Sequence, residues 1–225
     1  LIPGFHRAFA QLKTGQNLLP ILKDDHQWIA ESTKIALYLD DTYPEHVLLR
    51  SDEQLRQQTL KIDSLADDLG IHVRRWALAH NLAQGDHALE IMMGEQGYLR
   101  QFEKISKPIL KSLVSTNYKL NPEKVAKSKL RMTELITDLN QRLIDNQGRY
   151  LVGDRLGLAD IAICSILAPL LVIKGTPWEL ESDNIEQFTG EIREYHDFLL
   201  DLPLGQYVQR IYATERNARI DWRGL

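Results

Sequence analysis

The sequence predicts a small α/β unit over residues 1–41, a linker over 42–50 and an all-helical bundle over 51–225. Three observations carry this reading. Two short β-type runs, at about 19–23 and 27–30, flank the polar turn Lys23-Asp24-Asp25-His26. A serine, Ser32, stands at the start of a run with helical spacing. Beyond Ser51 apolar residues recur at intervals of three, four and seven, with no strand signal. A strand-bearing piece this short is not stable by itself, so it must pack on the bundle.

Residues 1–17 hold Phe5, Ala8, Phe9 and Leu12 between Pro3-Gly4 and Thr14-Gly15, which suggests a brief helix between loops. The strands of the hairpin follow. Ser32 is read as the cap of a helix to about Asp41, with Ile35, Tyr38 and Leu39 on its apolar face. Tyr43-Pro44-Glu45-His46 breaks it. In the bundle, Leu55, Ile62, Leu65, Leu69, Val73 and Trp76 form one stripe. Asn121-Pro122-Glu123 opens another helix, with a capping side chain, a proline suited to the first turn and an acid at the positive end of the dipole. Its stripe is Val125, Met132, Leu135, Leu139 and Leu143, and Gly148 ends it. The run from Leu158 to about Val172 is apolar on all sides and is expected in the middle of the bundle. The tail from Leu202 to Ile220, with Tyr207, Ile211 and Tyr212 on one face, wraps back over it.

Composition removes several classes of function. Hydrophobic residues make up 44% of the 225 residues and charged ones 26%, ordinary for a globular chain that buries a sizeable core. A net charge of -4 offers no basic footprint for nucleic acid. No apolar run reaches the roughly 20 residues of a membrane span, and no basic-then-apolar leader is present, so a cytoplasmic protein without membrane contact is expected. The single cysteine, Cys164, excludes an internal disulfide and fits a reducing compartment. The seven histidines form neither an HExxH pattern nor a Cys/His cluster, so no metal is expected.

Two motifs stand about 115 residues apart. The first is Leu19-Pro20, then Glu31-Ser32-Thr33-Lys34-Ile35-Ala36-Leu37-Tyr38-Leu39, then Tyr43-Pro44. The second is Gly148-Arg149-Tyr150-Leu151-Val152-Gly153-Asp154, then Leu158-Ala159-Asp160-Ile161-Ala162. Together and in this order they resemble the soluble glutathione transferases. The resemblance implies a thioredoxin-like N-terminal domain, present here in part, followed by an all-helical domain, and it implies a homodimer. It also implies a cis Leu19-Pro20 bond, which frees the main chain of Leu19 to pair with a tripeptide as an added strand. Ser32, at a helix N-terminus, would hold the γ-glutamyl carboxylate of glutathione, and Glu31 its amino group. The alternative for Ser32 is a plain helix cap, worth about 1 kcal/mol. Asp160 reads as a folding residue whose carboxylate reaches back to the N–H of Gly157, half of a capping box. The family usually has Ser or Thr where this chain has Gly157.

In that family a first strand–helix–strand unit, about 30 residues long, precedes the segment seen here and carries the residue that activates the glutathione thiol. The 18 residues before Leu19 hold no such unit, so the catalytic residue is expected outside this sequence. Either a segment precedes Leu1, which the non-Met start favours, or the protein is a natural remnant. A remnant would expose a raw sheet edge. The acceptor, a small apolar electrophile, would lie against the first bundle helix, with His72 and Trp76 as candidate lining and Leu65 and Leu69 more simply core. Arg74, Arg75, Lys104, Lys107 and Lys111 read as a solvated face. The leading reading is therefore a transferase conjugating glutathione, as co-substrate, to small apolar electrophiles. The rival is a non-catalytic interaction module on the same fold. A glutaredoxin-like redox protein would need an exposed cysteine, and Cys164 lies in the apolar helix with Ile163 and Ile166 as neighbours.

Overall fold

In the computed structural model, which describes residues 5–93, 102–176, 178 and 190–216, the hairpin joins β1 (Ile21–Asp24) to β2 (Gln27–Ala30). The strands are antiparallel, with Ile21 opposite Ala30 and Asp24 opposite Gln27. Helix α1 (Phe5–Thr14) lies on β2, with the Phe9 ring edge-on to Trp28 at 5.8 Å. Lys13 and Lys23 stand over the same indole, 5.5 and 5.8 Å from its centroid. β1 begins two residues later than the sequence suggests, at Ile21, directly after the Leu19-Pro20 peptide, which is cis. Helix α2 (Ser32–Thr42) follows. At its far end the hydroxyls of Tyr38 and Tyr43 both donate to Asp24 Oδ2 at 2.9 Å, fastening the hairpin turn to the helix. A two-stranded hairpin is marginal alone, and these ties supply what it lacks.

After a 3₁₀ turn at Pro44–His46, the Asp40 carboxylate accepts from the N–H groups of Leu48 and Leu49 at 2.8 and 2.7 Å. This places Leu49 in a small apolar cluster with Ala36 and Leu158. Arg50 is buried just beyond. One of its terminal nitrogens donates to the carbonyls of Val152 and Arg155.

Helix α3 (Glu53–Gln84), capped by Asp52, is the spine of the bundle. At 32 residues it runs about 48 Å. Short helices α4 (His87–Met93) and α5 (Glu103–Asn117) pack on its C-terminal half through Leu78, Leu82, Leu89, Leu110 and Val114. Helix α6 (Pro122–Asp145) starts at Asn121, whose side chain accepts from Lys124 N–H, as the sequence implies. Then come α7 (Leu158–Leu171), α8 (Glu191–Asp201) and α9 (Pro203–Thr214). The core interleaves Leu69, Val73 and Trp76 of α3 with Met132, Ile136 and Leu139 of α6. Ile163 and Leu167 of α7 and Leu199, Leu204 and Val208 of α8 and α9 complete it. Where α8 turns into α9, a Cβ on Gly205 would overlap the Leu199 carbonyl, so the turn requires glycine.

Asp160 ties three parts of this bundle. Its Oδ2 accepts from Gly157 N–H at 2.8 Å; its Oδ1 accepts from Leu151 N–H at 2.8 Å and from the Tyr207 hydroxyl at 2.5 Å. Gly157 gives no side-chain bond in return, so only half of a capping box forms. A Cβ there would stand 2.9 Å from the Leu48 carbonyl, which is why the serine or threonine expected from the resemblance does not fit this backbone. Residues 1–4 and 217–220, part of the expected first loop and tail, lie outside the described residues.

Candidate functional site

The hairpin and α2 bring Leu19, Pro20, Glu31 and Ser32 together. The link is one main-chain bond: Glu31 N–H donates to the Pro20 carbonyl at 3.0 Å, setting the turn that precedes β1 against the head of α2. Leu19 is about half exposed, and among the described residues its N–H and C=O make no hydrogen bond.

The helix cap is Glu31, one residue before the expected Ser32. Its Oε1 accepts from Thr33 N–H at 2.7 Å and its Oε2 from Lys34 N–H at 3.2 Å. β2 runs through Ala30, so the turn into the helix falls on Glu31. A carboxylate there satisfies two orphan donors where a hydroxyl satisfies one. Glu31 holds φ at +82°, a conformation that costs about 1–3 kcal/mol in a non-glycine residue and occurs often at ligand clamps. Ser32 thereby becomes the first helical residue. It is exposed, and among the described residues neither its N–H nor its hydroxyl is engaged.

Two acids of α3 that the sequence reading did not single out face this corner. Thr33 Oγ1 donates to Asp63 Oδ2 at 2.5 Å, joining α2 to α3. Burial raises the Asp63 pKa, the Thr33 bond opposes that rise, and the charges of Asp67 and Glu31 add to it. Burial raises Asp67 as well, Glu31 adds to it, and Arg74 opposes it. In the sequence the two acids stand four apart, Asp63 and Asp67, and so share one face of the helix, but nothing local says what that face meets. The corner thus offers a helix N-terminus with a free N–H and hydroxyl for a carboxylate, and the acids Glu31 and Asp67 for an ammonium. Its chemistry suits the zwitterionic end of an amino acid.

Since Asp63 binds its proton more tightly folded than unfolded, its contribution to stability is complete below the ordinary carboxylate range and is lost as pH rises through its raised pKa. Asp63→Asn, which keeps an oxygen for Thr33, is expected to remove that loss. Melting temperatures taken at about pH 4 and about pH 7 should show the variant gaining about 2–4 °C on the parent at the higher pH relative to the lower. An equal difference at both would mean that Asp63 is not strained by its charge.

His72 and Trp76 are not at this corner. Trp76 is 1% exposed in the core, with the rings of His80 and Tyr195 tilted against it at centroid distances of 4.4 and 5.0 Å. His72 bridges α3 to α6, with Nδ1 3.1 Å from Ser128 Oγ and Nε2 3.3 Å from Asp68. Leu69 is core, as expected, and Leu65 packs against it half-buried. Instead, a cleft of about 300 Å³ opens between α3 and α7, lined by Gly70, Val73, Arg74, Ala77, Ile166 and Pro169 among others. Gly70 is three residues past Asp67, so the cleft begins roughly 5 Å along the helix axis from the acids. Cys164 is buried and its thiol pKa is pushed up by burial, so it keeps its proton at neutral pH. Among the described residues no group of three or more His, Cys, Asp or Glu is placed to hold a metal ion, and no helix is long and apolar enough to cross a membrane.

Two family models match the chain: glutathione S-transferase, N-terminal domain, over residues 1–47, and glutathione S-transferase, C-terminal domain, over residues 98–197. No curated protein and no solved structure matches it.

Proposed function

Because the chain belongs to the glutathione S-transferase family, we propose that it conjugates reduced glutathione to small apolar electrophiles. The observation that carries this reading is the unused polar groups at one corner. The main chain of Leu19 and the N–H and hydroxyl of Ser32 are free among the described residues, with Glu31 and Asp67 alongside. On this reading Leu19, next to Pro20, pairs with the tripeptide main chain. Ser32 and the α2 dipole hold its γ-glutamyl carboxylate, and Glu31 and Asp67 hold its ammonium. These groups orient the substrate, and lowering the thiol pKa falls to a residue other than these. The thiolate then attacks an electrophilic carbon in the α3–α7 cleft, forming the C–S bond as the leaving group departs with its electron pair. Residues 1–41 act as the glutathione-binding domain, 42–50 as linker and 51–225 as the helical domain of a cytoplasmic homodimer.

The rival reading, a non-catalytic interaction module, draws support from α5, where Ile105, Ile109 and Leu113 form an exposed apolar stripe, each more than half exposed. One assay separates the two. Full-length protein with reduced glutathione and chlorodinitrobenzene should form the thioether faster than the uncatalysed reaction, and Ser32→Ala should reduce kcat/KM by about tenfold, the equivalent of one charged hydrogen bond. No rate above background with a panel of electrophiles would overturn the transferase and favour the module.

A further inference from the structure

Helix α5 divides lengthwise into a charged side and an uncharged one. Its buried row is Ser106, Leu110 and Val114, of which Leu110 and Val114 pack with Leu78, Leu82 and Leu89. The lysines lie on one flank of that row. Lys107 is held by Asp86, Glu90 and Glu103 at 3.3, 3.4 and 2.5 Å, and Lys111 donates to the Leu82 carbonyl at 3.1 Å. Lys104, three residues before Lys107, shares that flank. On the other side Ile105, Ile109 and Leu113 are 67, 55 and 53% exposed, four residues apart and so in one line along the helix. Beside them runs a second line, Pro108, Ser112 and Thr116, exposed, short and uncharged. About three turns of solvent-facing helix therefore carry no charge. Over the same length the exposed face of α6 carries Lys127, Arg131, Glu134 and Asp138.

The uncharged face is symmetric about Ile109. A second α5 laid antiparallel across it sets Ile109 against its own copy and Ile105 against Leu113 at both ends. That is the pairing a two-fold axis requires, in which one residue meets another and the second meets the first in return. No charge is desolvated and no like charges meet, because the lysines sit on the far flank. The short side chains of Pro108 and Ser112 let two helices approach toward the near end of the 8–10 Å range for packed helices. The face is too small for a lasting one-to-one complex, which takes about 20–30 residues a side. It suits a contact repeated within a symmetric assembly, where each weak contact is strengthened by the others.

We propose that a second copy of this chain covers the face, through an antiparallel α5–α5 contact on a two-fold axis at Ile109. The contact does not rest on the transferase reading. It takes from the interaction module the stripe that lends that rival its support.

Two measurements on the full chain test it. In sedimentation velocity over a concentration series, Ile109→Glu should weaken self-association by tenfold or more, since it sets two carboxylates against each other on the axis. Glutamate is a good helix former and the position is exposed, so the variant should melt close to the parent in dilute solution. Independently, Ile109→Cys puts a thiol on the axis. With diamide as oxidant, two such thiols give up their hydrogens to it and form a disulfide between copies. Lys104→Cys, on the lysine flank, should cross-link at least tenfold more slowly, and the native Cys164, 2% exposed, stays out of the reaction. Equal self-association of the parent and Ile109→Glu would overturn the proposal, as would equal cross-linking at 104 and 109. The cross-linking result decides alone if Ile109→Glu fails to fold.

Discussion

Asp160→Ala is expected to destabilise the protein by about 3–5 kcal/mol, the scale for breaking a buried charged network by removing one partner. The carboxylate is 1% exposed and satisfies three buried donors at once: Leu151 N–H, Gly157 N–H and the Tyr207 hydroxyl. Alanine leaves all three without an acceptor, each loss costing about 1–3 kcal/mol, and opens a small void. The effect reaches beyond the helix start, because those donors belong to the loop before α7, to its cap and to α9. Tyr207→Phe removes one donor together with its acceptor bond and should cost only about 1 kcal/mol. Urea midpoints for the parent and the two variants test this. An Ala variant within about 1 kcal/mol of the parent would mean that water replaces the carboxylate and that the network does not hold the bundle.

How far the sequence shows all this depends on the range of the interaction. Local chemistry is legible: Asn121-Pro122 starts α6 where its capping and proline signals say, and Asp160 reaches Gly157 three residues back. The cap of α2 is misread by one residue because Glu31 and Ser32 are both good caps, and only the end of β2 at Ala30 decides between them. The helical stripe locates Trp76 correctly but says nothing of what it faces. It points into the core, and the cleft lies on the neighbouring face through Gly70, Arg74 and Ala77, about 100° around the helix per residue. Asp63 and Asp67 were invisible as site residues for a related reason. They matter only because α2 packs on α3 thirty residues away, and no local signal announces that pairing. The division of 53–117 into α3, α4 and α5 was not legible either, since apolar spacing is helical on both sides of Gly85.

The second large effect concerns ligand. On the proposed reading, reduced glutathione at about 100 times its Kd should stabilise the folded chain by about 2.7 kcal/mol, since a ligand held by Leu19, Glu31 and Ser32 would bind only the folded state. Ser32 contributes the hydroxyl that is free among the described residues at the head of α2, and its loss should not disturb folding, because Glu31 rather than Ser32 caps the helix. The two roles that the sequence left entangled are therefore separable. Ser32→Ala should melt at the temperature of the parent without ligand, whereas Glu31→Ala should melt lower by the loss of a cap, about 1 kcal/mol. Thermal unfolding of the parent and of Ser32→Ala across a glutathione titration is the direct test. A rise in the parent that Ser32→Ala loses, with equal melting temperatures at zero ligand, is the result expected of a glutathione cleft at this corner. An equal rise in both proteins, or none in the parent, would contradict it.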